Sequence, residues 1–480
     1  MKNTKQKVFS NLIWRFAERI GAQLVSFIVS IVLARMLAPN DYGIISLVTI
    51  FTIIMQVFVD SGLGNALIQK KDADDIDFST VFYTNILFCI ILYLILFFCA
   101  PLIAKFYNND SLIVLTRVLG ITILISGVKN VQQAYVSRNM IFKKFFFATL
   151  AGTIGAGIIG IVLAFKGFGV WALVVQQLVN LAVDTLFLWF TVKWRPKKVF
   201  SFKRLISLFS YGWKLLLSSL INNVYNNIRQ LAIGKVYSAE SLAYYNKATQ
   251  FPEIIVNNIN TSIDSVLLPT MSKEQENKEK IKAMTKRSIK TSTFIMAPLM
   301  MGLAFTSNNI VKILLTEKWM QCVPYLIIFS IAYMFWPIHT ANLNAIKSIG
   351  RSDIFLKLEI IKKVIGVLLM ILTMKISVMA MAVSLLIGEF FDQIINSWPN
   401  RKLIDYGYIQ QTKDIIPSIT LAVFMGVIIY LVNFLNIPLL LTLIIQIVLG
   451  GIIYIGIAKI LKFECLEYIF EVIKNIFIKK

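Results

Sequence analysis

LARMLAPNDYGIIS, residues 33–46, lies over IGKVYSAESLAYYN, residues 233–246, at an offset of about 200. In this register Arg35 matches Lys235 and Gly43 matches Ala243. Each stretch closes one apolar run, passes through a short polar turn and opens the next. Further on, VDSGLGNALI (59–68) lies over INTSIDSVLL (259–268), and Trp14 falls near Trp213. Chance similarity between two apolar segments is the alternative to a true repeat.

Composition says what kind of runs these are. The 480 residues are 57% apolar and only 15% charged, with a mean hydropathy of +0.73. Apolar runs recur along the whole chain, many of them close to the ~20 residues that cross a hydrocarbon core as a helix. They are continuous rather than alternating, which argues against a β-barrel. The expected fold class is therefore all-α, polytopic and membrane-embedded, with about 14 spans. Their approximate limits are 11–36, 44–68, 80–104, 112–136, 146–165, 170–192, 208–234, 241–268, 289–307, 320–346, 354–374, 377–398, 415–435 and 438–460. The N-terminus is basic but shows no small-residue cleavage site, so it reads as a retained first helix.

Charge orients the chain. With the N-terminus inside, about 31 Lys and Arg fall on the inner side and about 7 on the outer side, a positive-inside pattern. Both termini are then cytoplasmic. The formal charge of +23 belongs to these loops, and nucleic acid is not an expected partner. The repeats start from the same side, so they are parallel, related by an axis along the membrane normal. Two six-helix lobes follow, 1–192 and 207–399, joined by a basic cytoplasmic linker, 193–206. Residues 400–480 add a last helix pair and a cytoplasmic tail. The longest loop, near 270–288, reads as a short amphipathic helix. Cys89, Cys99, Cys322 and Cys465 are scattered, so neither a disulfide nor a metal site is expected.

SSLINNVYNNIRQLAIGK (218–235) places amides and a fixed charge inside an apolar run. Lys214, Ser218, Asn222, Asn226 and Arg229 share one helix face. Lys247, Gln250, Asn257, Thr261 and Asp264 do the same on the next span. The first two spans carry Arg15, Glu18, Arg19 and Ser26, then Thr49, Thr52, Gln56 and Asp60; Lys129, Gln133, Gln176, Asn180 and Asp184 follow. Intramembrane charges face bundle interiors or water-filled cavities, so stripes on several helices point to a watery cleft between lobes. Amides suit sugar hydroxyls, and Arg and Lys suit phosphate. Arg229, Lys247, Lys129, Lys214 and Arg15 are candidate diphosphate contacts. Asn222, Asn226, Asn257 and Gln56 are candidate sugar contacts. Asp60, Asp184 and Asp264 are either ion-coupling sites or internal counterions.

Blander readings stand beside these. Arg15, Glu18 and Arg19 can form local pairs or snorkel, as can Lys362 and Lys363 beside Glu359. Glu389 and Asp392 share the ambiguity of the other acids. His339, the single histidine, reads as a hydrogen-bonded packing residue ahead of a proton-coupling one. Pro252, Pro298, Pro324 and Pro337 lie in the eighth to tenth spans, where Pro252 should kink its helix. The run GTIGAGIIG (152–160) allows close helix contact.

LARMLAPNDYGIISL after an amphipathic first helix resembles the start of Wzx-type polysaccharide transporters, within the multidrug/oligosaccharidyl-lipid/polysaccharide superfamily. SGLGNALIQKKD (61–72), DFSTVFYTN (77–85), GFGVWALVVQQLV (167–179), SSLINNVYNNIRQLAIGK through SAESLAYYNKATQFP (218–252) and GRSDIFLKLEIIKKVIG (350–366) are similar to the colanic-acid and teichuronic-acid exporter branch. The resemblance runs from about residue 8 to 405. It implies a two-lobe bundle with a cationic cavity, in a bacterial cytoplasmic membrane. It also implies flipping of an undecaprenyl-diphosphate-linked oligosaccharide from the inner to the outer leaflet, for lipopolysaccharide, capsule or teichuronic acid export. It supplies no catalytic signature, so no enzyme activity and no cofactor are expected. The loop KKDADDID departs from the pattern by its acidity. A proton or cation gradient is the expected drive, because GK[ST] in a glycine-rich loop is absent. Membrane lipids and polysaccharide polymerase machinery are the other candidate partners. A cation-coupled drug exporter and a lipid II flippase of the same superfamily are the alternatives, followed by a polymerase or glycosyltransferase, which short outer loops disfavour.

Overall fold

The computed structural model describes residues 2–60 and 62–478, and their side chains except at 2–13, 15–17, 19, 211, 472, 473 and 475–478. The expected cation Arg15 thus lies outside the described side chains. The chain is helical throughout, with no strand among the described residues. It begins with α1 (Lys2–Met36), α2 (Pro39–Asp60), a short α3 (Leu63–Gln69), α4 (Asp75–Tyr107), α5 (Ser111–Arg138), α6 (Phe142–Phe165) and α7 (Val170–Thr191). After the irregular segment 192–201 come α8 (Phe202–Val236), α9 (Ala239–Ser272) and α10 (Lys278–Leu314). Then follow α11 (Val323–Tyr333), α12 (Trp336–Ser348), α13 (Ser352–Thr373), α14 (Val378–Ser397) and the single turn α15 (Asn400–Leu403). The chain ends with α16 (Tyr408–Leu431), α17 (Leu439–Ile460) and α18 (Glu464–Ile478).

Ten helices among the described residues are long and apolar enough to cross a membrane. Their outward faces expose large side chains, with Phe165 and Phe190 84% and Ile460 78% accessible. Such a surface is stable against lipid, where a helix also keeps its backbone hydrogen bonds internal. The long helices outside this set are α8, α9 and α13, together with α1, in which only Ile20–Met36 is apolar. These carry the stripes that begin at Lys214 and Lys247 and the Glu359–Lys363 cluster, while Gln56, Asp60, Lys129 and Asp184 lie on helices of the ten.

The repeat register has a structural counterpart. Helix limits at Met36 and Val236, and at Pro39 and Ala239, each differ by 200 (236 − 36, 239 − 39). Gly43 in α2 lies against the first turn of α9, where an added Cβ would stand 1.8 Å from the Ala239 carbonyl oxygen.

Two compact units emerge, residues 1–243 and 244–480. The expected linker, 193–206, lies inside the first, because α8 packs on α2, α3 and α4. In that unit α6 joins α1 and α7 through its glycines. A Cβ at Gly157 would meet Val29 at 2.5 Å, and one at Gly152 would meet the Asn180 carbonyl oxygen at 2.9 Å. In the second unit Met296, Ala297 and Met300 of α10 are buried with Ala422 and Met425 of α16 and Tyr454 of α17. Tyr454 donates its hydroxyl to the Phe294 carbonyl at 2.9 Å.

Several local expectations change. The region 270–288 contains only a short turn, because α9 runs to Ser272 and Asn277 caps α10 by accepting from the Lys280 amide at 3.0 Å. Helix α9 continues through Pro252 and Pro269, and α10 through Pro298. The interruption falls instead between α11 and α12, where Pro337 occupies the first turn.

The acidic loop has a clear role. Asp74 and Asp77 form a reciprocal capping box at the start of α4. Buried Asp77 accepts two bonds from Lys70 at 2.7 Å and faces Arg204 at 3.4 Å. Asp74 pairs with Arg204, and Asp75 with Lys197 at 2.6 Å. Burial acts to raise the Asp74 carboxyl, but bonds from the Asp77 amide and Arg204 outweigh it and hold it below the usual range. KKDADDID is thus the counter-charge of KWRPKKVFSFKR.

The glycine contacts predict a contrast. Gly43→Val must displace backbone, and detergent-purified protein should melt several degrees lower or fail to fold. Gly155→Ala, whose Cβ would meet nothing within 4 Å, should match or exceed the parent, since Ala is favoured over Gly in a helix by about 1 kcal/mol. Thermal unfolding of the two variants checks both.

Candidate functional site

The polar stripe of α8 is open. Lys214, Ser218, Asn222 and Asn226 are exposed, and Arg229 is half-buried. The neighbouring face exposes Leu217, Ile221 and Val224. One helix therefore shows two exposed faces of opposite chemistry, which in a bilayer suits a boundary between lipid and water. Between them, Asn223 and Asn227 spend one amide proton each on the carbonyls of Ser219 and Asn223, at 2.9 and 2.8 Å.

On α9 the stripe divides. Asn257, Thr261 and Asp264 are exposed. Lys247 is 5% exposed, with its amine 5.8 Å from the Trp319 ring. Geometry thus separates Lys247 from the open half of its own helix.

The first unit closes most of its other polar groups on one another. Asp60 is bonded by Gln56 one turn before it and by Asn130 of α5 at 3.1 Å. Asn130 in turn accepts from Asn85 of α4 at 3.3 Å. Lys129 lies 2.5 Å from Asp184 of α7, both side chains nearly buried. Asp184 Oδ1 is buried with no hydrogen-bond partner among the described residues. Lys129 and Asp184, assigned separate roles from sequence, are brought together as an ion pair.

The second unit joins His339, read from sequence as a hydrogen-bonded packing residue, to acids and amides whose pairing the sequence did not give. His339 Nε2 lies 3.0 Å from Glu389 Oε2, and its Nδ1 lies 3.3 Å from the Asn396 amide. Trp336 donates to the other Glu389 oxygen at 3.1 Å. Asp392, Glu359 and Lys362 are within electrostatic range, and Lys362 pairs with Glu359 at 2.5 Å. Nearby, Asn342, Gln411 and Asn400 interlock at 2.8 Å. The signal was present as amides inside apolar runs, in ANLNAIKS and EFFDQIIN. What is missing from a sequence is which of them face each other.

The family model for polysaccharide biosynthesis proteins matches residues 32–324, more than half of the chain. The chain belongs to this family. Members similar to it include the teichuronic acid biosynthesis protein TuaB of Bacillus subtilis, 26% identical over 74% of each chain. The lipopolysaccharide biosynthesis protein WzxC of Escherichia coli is 23% identical over 82% of this chain and 80% of its own. The succinoglycan transport protein ExoT of Rhizobium meliloti is 23% identical over 66% and 65%. Among solved folds, the lipid II flippase MurJ in an inward closed conformation superposes with a TM-score of 0.74 at 18% identity, covering 94% of this chain and 98% of MurJ. An inward-facing multidrug resistance transporter of the MATE family gives 0.63 at 16%, covering 82% and 98%. The resemblance drawn from sequence motifs and the family match agree.

Lys129 and Asp184 allow a direct test within this family fold. Removing one partner of a buried pair strands the other charge and destabilises by about 3–5 kcal/mol. Lys129→Met and Asp184→Leu should each lower the unfolding midpoint sharply, and the double variant should recover much of the loss. A double variant as unstable as the sum of the singles would mean that the two charges act independently.

Proposed function

We propose that this protein flips an undecaprenyl-diphosphate-linked oligosaccharide from the inner to the outer leaflet of a bacterial cytoplasmic membrane, for surface polysaccharide export. The carrying observation is the open polar stripe of α8 beside an exposed apolar face, in a chain of the polysaccharide biosynthesis family. An amphiphile with a sugar-diphosphate head and a polyprenyl tail needs such a boundary: the head follows the amides while the tail stays in lipid. Asn222, Asn226, Asn257 and Gln56 contact sugar. Lys214, Arg229 and Arg15 attract diphosphate; Lys247 and Lys129, being buried or paired, act on it after a rearrangement that frees them. Asp60, Asp184 and Asp264 serve as ion-coupling or counter-charge positions for a proton or cation gradient. The four polar-faced helices cross as well, for 14 spans in all, with both termini cytoplasmic, in two lobes of six and a final pair. Surface polymerisation machinery receives the product.

The names of TuaB, WzxC and ExoT support a surface polymer over lipid II, since MurJ supports the fold alone. A drug exporter is disfavoured by Lys214 and Arg229, which would repel a cationic cargo.

In a deletion strain, lipid-linked oligosaccharide should accumulate shielded from an impermeant sugar-oxidising probe, while surface polymer is lost. Complementation with Asn222→Ala/Asn226→Ala should lower surface polymer about tenfold at matched expression, the scale of about 1.4 kcal/mol of lost headgroup binding. Leu217→Ala on the adjacent apolar face should stay within about twofold. Normal polymer from the double amide variant would remove the stripe from the pathway.

A further inference from the structure

The second unit contains a basic cavity lined by none of the stripe residues. It measures about 350 Å³ and is lined by Lys286, Arg287, Lys290 and Thr291 of α10 and by Glu464 and Tyr468 of α18. Lys290 pairs with Glu464 at 2.6 Å. Lys286 reaches Asp414 at 3.4 Å, a carboxylate that also accepts the Tyr406 hydroxyl at 2.8 Å. Arg287 has no carboxylate partner among the described residues; its guanidinium lies 4.9 Å from the Tyr468 ring. Three cations against two carboxylates leave one positive charge, and the donor that carries it opens into the cavity.

Apolar and amphipathic surfaces adjoin the cavity. One turn further along α10, Phe294, Ile295, Pro298 and Leu299 line an apolar groove of about 590 Å³ with Gly450 and Tyr454. Beyond it, α18 exposes Phe470 together with Glu467, Glu471 and Lys474, a mixture of apolar and charged groups that suits a helix in the headgroup layer. A ligand that fits both places carries one negative charge on a compact oxyanion head and long apolar chains beneath it.

We propose that the α10–α18 cavity is a binding site for the phosphodiester headgroup of an anionic phospholipid, distinct from the transported cargo. Arg287 donates a two-pronged contact to the phosphate, Lys286 and Lys290 add point charges, and the acyl chains enter the groove beside Phe294. The lipid ties the C-terminal helix to α10.

The test uses the purified full chain in a mild detergent, with phosphatidylglycerol, phosphatidylcholine or inorganic phosphate added and thermal unfolding as the readout. Phosphatidylglycerol should raise the midpoint several degrees beyond phosphatidylcholine. Arg287→Gln should abolish that difference. Glu464→Gln removes the acid that lines the cavity and should tighten phosphatidylglycerol binding about fivefold; it reports on the site even if Arg287→Gln fails to fold. Equal shifts with both lipids, an undiminished preference in Arg287→Gln, or an equal shift from inorganic phosphate would each overturn the proposal. The readout involves no transport, so it is independent of the flipping assay.

Discussion

A charge or amide in hydrocarbon has no water to fall back on, and the packing of the first unit follows from that constraint. Lys129 and Asp184 answer it by meeting at 2.5 Å. Asp184 also stands beside α6, where Gly152 permits the approach: a Cβ there would press on the Asn180 carbonyl and come within 3.2 Å of the Asp184 Cβ.

The same constraint distinguishes two kinds of polar residue. Asn342, Gln411 and Asn400 bond chiefly to each other and hold α12, α15 and α16 in register. His339, Glu389, Asn396 and Trp336 do the same between α12 and α14. Asn222 and Asn226 instead stand exposed on α8. A membrane chain leaves polar groups exposed where water or a polar cargo reaches them.

Much of this was legible in the sequence. Most predicted apolar runs fall on single helices, because length and hydropathy are local properties, while 44–68 and 320–346 are each divided between two. The helix breaks at 37–38 and 237–238 were legible too, since LARMLAPNDYG and IGKVYSAESLA each carry a polar turn there. Two things were not. Lys247 looks like its stripe neighbours in a helical projection, yet its burial against Trp319 depends on the 3₁₀ turn Glu317–Cys322 far along the chain. The allegiance of α8 was equally hidden: the basic segment before it resembles a linker, while its packing on α2, α3 and α4 is a tertiary fact. Facing pairs such as Lys129 with Asp184 fall in the same class, because spacing assigns a residue to a helix face but not to a partner.

The position of α8 bears on how this chain can be taken apart. By repeat it opens the second half, but by contact it completes the first. A break at the basic segment 193–206 would leave one fragment with an empty seat on α2 to α4 and the other with an unsatisfied helix. Co-expressed, such fragments would recognise each other through that seat. A cut at the basic segment therefore parts α8 from the helices that seat it.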